Sequence, residues 1–143
     1  MAITAEQFNQ RGSAFLPGHL GLAVIECKLG EARGEIHIKE CHYAPNGYLH
    51  AGTVVTLADS CAGAGCMASL PEGASGFTTI ELKSNHLSTA KEGVIECVAK
   101  GVHMGRNTQV WDATVTHRET GKTIALFRCT QMILYPQAKK SVT

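Results

Sequence analysis

At 143 residues the chain is long enough for one domain with a real hydrophobic core. Its formal net charge of +1 excludes a strongly basic nucleic-acid binder and a polybasic membrane-surface protein. Charged residues make up only 17% of it, below the usual quarter, so extensive buried surface is expected, subunit contacts included.

The N-terminus MAITAEQFNQRG lacks the basic-then-apolar pattern of a leader. ITAEQFNQRG, with Thr4 as N-cap, reads as a short helix inside a helical segment over residues 1–20. LGLAVIECKLGEARGEIHIKE reads as two short strands around a Gly/Glu turn. KECHYAPNGYLH is a loop punctuated by Pro45, Asn46 and Gly47. The six cysteines, Cys27, Cys41, Cys61, Cys66, Cys97 and Cys129, form no CxxC pair and no zinc-like spacing. Buried thiols in a reduced, cytoplasmic protein are the expectation.

Residues 51–69 form a long run of small, mostly apolar residues without proline, too long for one ordinary strand. A buried central helix is expected there. Gly63 and Gly65 weaken it by about 1 kcal/mol each relative to Ala, which makes sense if another backbone lies against that face. The run fails as a membrane span, because it carries Thr53, Thr56, Asp59 and Ser60 at the lower length limit. Asp59 is its anomaly. No Lys or Arg lies within ten residues on either side, and a buried, unpaired carboxylate is costly.

The second half changes period. FTTIELKSNHL, VIECVAKGVHM, TQVWDATVTHRE and TIALFRCTQMILY alternate well and are separated by turns at STAKEG, GRN and ETGK. Four sequential antiparallel strands are expected, followed by a tail over 136–143. The whole chain, 1–143, then forms a single α+β domain in which a long antiparallel sheet wraps one central buried helix. The sheet's other face must be covered or largely polar.

The stretch Asn46-Gly47-Tyr48-Leu49-His50-Ala51-Gly52, with Leu57-Ala58-Asp59 ending nine residues after His50, resembles hotdog-fold thioesterases of the phenylacetate-pathway (PaaI-type) group. FTTIELKSNHLSTAKEG is similar to that group's strand-then-turn segment, and GVHMGRNTQVW to its Gly-Arg strand connection. The similarity covers residues 20–135, most of the chain. Two departures stand out. Ala51 replaces the middle residue of the group's usual His-Gly-Gly, which a backbone N–H role tolerates if φ stays negative. Asp59 stands where other hotdog branches carry Glu, and their Gln before the His is absent.

The resemblance implies a hotdog-fold acyl-CoA thioesterase that releases free acid and CoASH. It needs no metal or cofactor beyond the coenzyme A of its substrate. It implies no nucleic-acid or membrane partner, and a homodimer or a dimer of dimers. Asp59 becomes general base or nucleophile. Ala51 N–H, at the helix start with Gly52, becomes the oxyanion donor. Without the family, a Gly-assisted helix entry would be the simpler reading. His50 lies roughly 15 Å along a helix from Ser60 and Cys61, so a loop-packing His that shapes the helix start is favoured over a catalytic pair. Asn46 bonds the loop backbone or orients substrate or water, the two weighing equally. Thr78 and Thr79 offer hydroxyls to substrate or Asp59, although β propensity alone accounts for them. Arg106 is favoured for phosphate contact, and Lys83, Lys91, Lys100 and His86 are given no role. Ala51 and Asp59 are roughly 12 Å apart on one helix, so the site is expected to be shared by two antiparallel helices. Ala58, Ala62 and Gly63 would allow their approach. Two rivals stay open: a hotdog enoyl-CoA hydratase or dehydratase using His50, and a non-catalytic acyl-CoA binding domain.

Overall fold

The computed structural model describes residues 3–137; of the expected tail over 136–143, residues 138–143 lie outside that range. Thr4 opens the first helix, α1 (Ala5–Gly12), through a reciprocal capping box with Gln7. A short helix, α2 (Leu16–His19), follows. The Asn9 side chain clamps α1 to the first strand, accepting from Val24 N–H at 2.9 Å and donating to Val24 C=O at 2.8 Å. Strands β1 (Ala23–Lys28) and β2 (Glu31–His37) form the expected hairpin. The next loop contains one 3-10 turn at Glu40–His42 and leads into the long helix, α3 (Ala51–Ala68). Four strands complete the sheet: β3 (Gly76–His86), β4 (Val94–Met104), β5 (Thr108–His117) and β6 (Thr123–Leu134).

The six strands form one antiparallel sheet in the order β1-β2-β4-β5-β6-β3. The last four strands are therefore not a simple meander. β3 pairs with β6 at the far edge, and β2 takes the place beside β4. The reason is the helix: α3 crosses the concave face, so the chain re-enters the sheet at the opposite edge. The inward residues of β5 and β6 alternate with outward ones, and Trp111, Val115, Phe127 and Cys129 close on Leu57, Cys61 and Cys66 of α3. Each large apolar side chain buried there contributes roughly 1.5–3 kcal/mol.

The helix glycines are explained by rings, not by an opposing backbone. A Cβ on Gly65 would stand 2.5 Å from Trp111 Cζ3, and one on Gly63 would stand 3.1 Å from Phe77 Cζ. Ala58 and Ala62 are fully buried beneath the chain's own sheet. They are unavailable to a second helix, contrary to expectation, because the sheet wraps that side of α3 first. The thiols divide as well: Cys61, Cys66, Cys97 and Cys129 are buried, Cys27 is half-buried and Cys41 is exposed. The sheet's outer face carries ion pairs, with Arg128 on Asp112, Arg118 on Glu35 and Glu96, and Arg33 on Glu26 and Glu31. No helix of the described residues is long and apolar enough to cross a membrane.

Candidate active site

The entry to α3 is held by a residue that sequence reasoning missed. His42 is buried, its Nε2–H donating to Leu20 C=O at 2.7 Å and its Nδ1 accepting from Lys39 N–H at 2.9 Å. Its own carbonyl then accepts from His50 N–H at 2.9 Å and from Thr53 Oγ1 at 3.1 Å. The loop 43–49 is closed by Asn46 Oδ1, which accepts from Tyr48 N–H at 3.1 Å, and by Gly47 at φ 83°, where only a glycine is unstrained. Leu49 N–H donates to Ala90 C=O, tying this loop to the β3–β4 connection. Asn46 is thus exposed and bonded to its own loop.

His50 is the N-cap of α3, and its Nδ1 accepts from Gly52 N–H at 2.7 Å. Gly52 therefore does not present a free amide. Ala51 does: its exposed N–H meets no acceptor among the described residues. Amides of a helix's first turn lack intrahelical partners and carry its positive dipole end, so Ala51 N–H is oriented to receive developing negative charge.

Asp59 lies two turns further on. It is half-buried, and its Oδ1 is shut away from solvent with no hydrogen-bond donor among the described residues. Burial pushes its carboxyl pKa above the ordinary value. Cys129 on β6 lies close enough to sense that charge. Its thiol is pushed up to about 12, first by burial and then by Asp59. Cys66 is raised to about 12 by burial alone. Both thiols stay protonated at neutral pH and are poor nucleophiles. Beside Cys129, the fully buried Gln131 donates to Cys129 Sγ at 3.4 Å and accepts from Thr79 Oγ1 at 2.7 Å. Thr79 is thus bonded to Gln131, two residues from Cys129, while Thr78 pairs with the outward Met132, and both threonines are exposed. Gln131 and Gln109, which bonds Ser69 C=O and Trp111 Nε1, were invisible in the strand pattern because buried glutamine carries no period signal.

Arg106 occupies the β4–β5 turn. It is exposed, its carbonyl accepts from the Tyr135 hydroxyl, and its guanidinium makes no hydrogen bond or ion pair among the described residues. This turn lies at the C-terminal end of α3, the end where Gln109 holds Ser69. Ala51 lies at the opposite end, so one chain does not bring Arg106 to Ala51. The cation held at the helix-entry loop is Lys91, its ammonium 4.6 Å from the Tyr48 ring centre and its carbonyl bonded by Tyr43 OH. A groove of about 340 Å³ along Lys83, Asp112 and Arg128 has no wall from α3. No cluster of described His, Cys, Asp and Glu residues could hold a metal ion.

A six-stranded antiparallel sheet curled around one long helix is the hotdog fold, here with a free amide at the start of the helix and a desolvated carboxylate along it. The sequence profile of the Thioesterase superfamily matches residues 46–124, more than half of the chain, and the protein belongs to that superfamily. It is 32% identical over 111 residues to the 1,4-dihydroxy-2-naphthoyl-CoA hydrolase of Listeria monocytogenes, covering 78% of this chain and 89% of that one. It is 29% identical to the enzyme of the same name from Escherichia coli, covering 92% and 96% of the two chains. Among solved structures it is similar to a thioesterase from Haemophilus influenzae, with a TM-score of 0.86 and 25% identity over 99% of this chain and 97% of that one.

Proposed function

We propose that the protein hydrolyses an acyl-CoA thioester to the free acid and CoASH, as a homodimer or a dimer of dimers in the cytoplasm, without metal or further cofactor. Asp59 takes a proton from water as the water oxygen attacks the thioester carbon. Ala51 N–H stabilises the resulting oxyanion. The tetrahedral intermediate collapses, breaking the C–S bond, and the departing thiolate receives the proton from Asp59. The observation that carries this reading is the Asp59 carboxylate, desolvated and without a donor for Oδ1 among the described residues. A raised pKa makes it a better base at the operating pH. The CoA thioesters in the names of the two relatives support the substrate class.

Asp59 and Ala51 lie eight residues apart on α3, about 12 Å along the axis. A carbonyl oxygen needs its donor within about 3.1 Å, so the two groups serve one thioester only if they come from two copies of the chain. His50 keeps Gly52 engaged and so leaves Ala51 free. Asn46 shapes the loop before it. Thr79 steadies Gln131, two residues from Cys129, and Thr78 and Gly52 offer contacts to the substrate chain. Hydration by His50 is disfavoured, because its Nδ1 is already occupied by the helix cap. Release of free thiol across short, medium, long and aryl acyl-CoAs, set against hydration of an enoyl-CoA, tests the reading. Asp59→Asn is expected to lower kcat by about 10²–10⁴-fold with little change in acyl-CoA binding. Retention of most of the kcat would move the chemistry to another residue.

A further inference from the structure

From Ala51 to Ser60, α3 shows solvent one stripe: Ala51, Gly52, Val55, Thr56, Asp59 and Ser60 are exposed or half-buried. Their spacing of three and four residues puts them on one face of the helix. The stripe then stops. Every residue from Cys61 to Cys66 is buried, although Gly63 continues the same face one turn after Asp59. The cause is a single side chain. Phe77 of β3 lays its ring over Gly63, where a Cβ would stand 3.1 Å from Cζ and 3.9 Å from Cε2. Apart from the helix itself, no other group among the described residues comes within 4 Å of that position. Phe77 is half-buried, and its strand is an edge of the sheet, paired only with β6 through Ile133.

Asp59 therefore stands in the open part of the stripe, and the Phe77 ring closes it four residues on, about 6 Å along the axis. Past the ring the surroundings are apolar and shut. Gly65 meets the Trp111 indole there, and Cys66 is fully buried. Coenzyme A cannot lie on that side. Its arm is polar and ends in charged phosphates, and a buried apolar end offers them no partners. An acyl group makes no such demand and gains from leaving water.

We propose that Phe77 is the end wall of the acyl site and confines the acyl group to about one helix turn beyond Asp59. The substrate class it selects is the CoA thioester of a short or compact acid, not of a long-chain fatty acid. Gly63 is part of the device, because the missing Cβ lets the ring come down on the helix and close the stripe. The inference rests on the reading of Asp59 as the base of a thioesterase.

Steady-state kcat/KM across straight-chain substrates from acetyl-CoA to palmitoyl-CoA, with benzoyl-CoA beside them, tests the assignment. The wild type should favour the short chains and benzoyl-CoA over palmitoyl-CoA. Phe77→Ala should keep acetyl-CoA turnover and raise the ratio of long-chain to acetyl-CoA kcat/KM by about tenfold or more, the scale on which a hydrophobic pocket discriminates by size. Phe77→Leu, which keeps more of the packing should the alanine variant fail to fold, should shift the ratio in the same direction by less. Phe77→Trp should move the cut-off to shorter chains. A wild type that prefers palmitoyl-CoA would overturn the proposal. So would a folded Phe77 variant with an unchanged ratio, or one that loses every chain length equally, as a purely structural residue would. Failure of the underlying reading looks different: the wild type would release thiol from none of these substrates, or Asp59→Asn would keep its kcat, and either result removes the Phe77 assignment with it.

Discussion

His50 Nδ1 accepts the N–H of Gly52 at 2.7 Å, and the amide between them, that of Ala51, is left without an acceptor among the described residues. The cap thus does two things at once. It satisfies one orphan donor of the first turn and leaves the preceding amide, that of Ala51, unengaged. His50→Ala should destabilise the fold by about 1 kcal/mol, the usual loss for an N-cap, read as a lower Tm. It should also lower kcat, through a less ordered Ala51 N–H. His50→Asn, which can still cap, should recover both. An Asn variant that regains Tm but not kcat would show that the imidazole itself takes part in the reaction.

Burial raises the Asp59 pKa, and this sets the sign of two pH effects. The base proposed here works only when ionised, so kcat/KM should fall as pH drops through that raised value, with an acid limb above the ordinary aspartate range. Stability runs the other way. A carboxyl whose folded pKa exceeds its unfolded pKa favours the fold when protonated, and that contribution is lost as pH rises through the folded value. Asp59→Asn should therefore melt higher than wild type at pH 7–8. The two should converge below about pH 4, where both states are protonated. Equal melting temperatures at pH 8 would mean that water or a second chain solvates the carboxylate.

If Arg106 contacts the substrate phosphates, it lies outside the bond-breaking step, and Arg106→Ala should raise KM more than it lowers kcat. The effect should vanish with a truncated thioester that lacks the nucleotide. Equal losses on both substrates, measured by steady-state kinetics, would make Arg106 a structural residue of the β4–β5 turn.

Gly65 faces the Trp111 indole so closely that an added methyl would stand 2.5 Å from Cζ3. Trp111 is fully buried and its Nε1–H is held by Gln109, so it has no room to retreat. Gly65→Ala gains helix propensity of about 1 kcal/mol but overpacks the core by about 1–3 kcal/mol. Chemical denaturation should show net destabilisation. A more stable variant would mean that the indole can shift.

The residue order was enough to place the long helix, because nineteen residues without proline could be nothing else in a buried chain, and to set out the six strands through their period of two. It also exposed Asp59, since isolation from every cation is visible along one dimension. The motif around His50 named the family. What it could not show was non-local. Local period does not say which strands pair, so β3 was expected beside β4 and lies beside β6. The same limit hid Gln131, which reads as one polar residue in a strand until Thr79 from another strand is seen to bond it. It hid the crowding of Ala58 and Ala62 as well, because a small residue looks free until its own sheet is folded over it. Above all, only the tertiary structure decided that Ala51 and Arg106 stand at opposite ends of α3. The helix fixes distance along its axis, but the sheet register determines which turn meets which helix end.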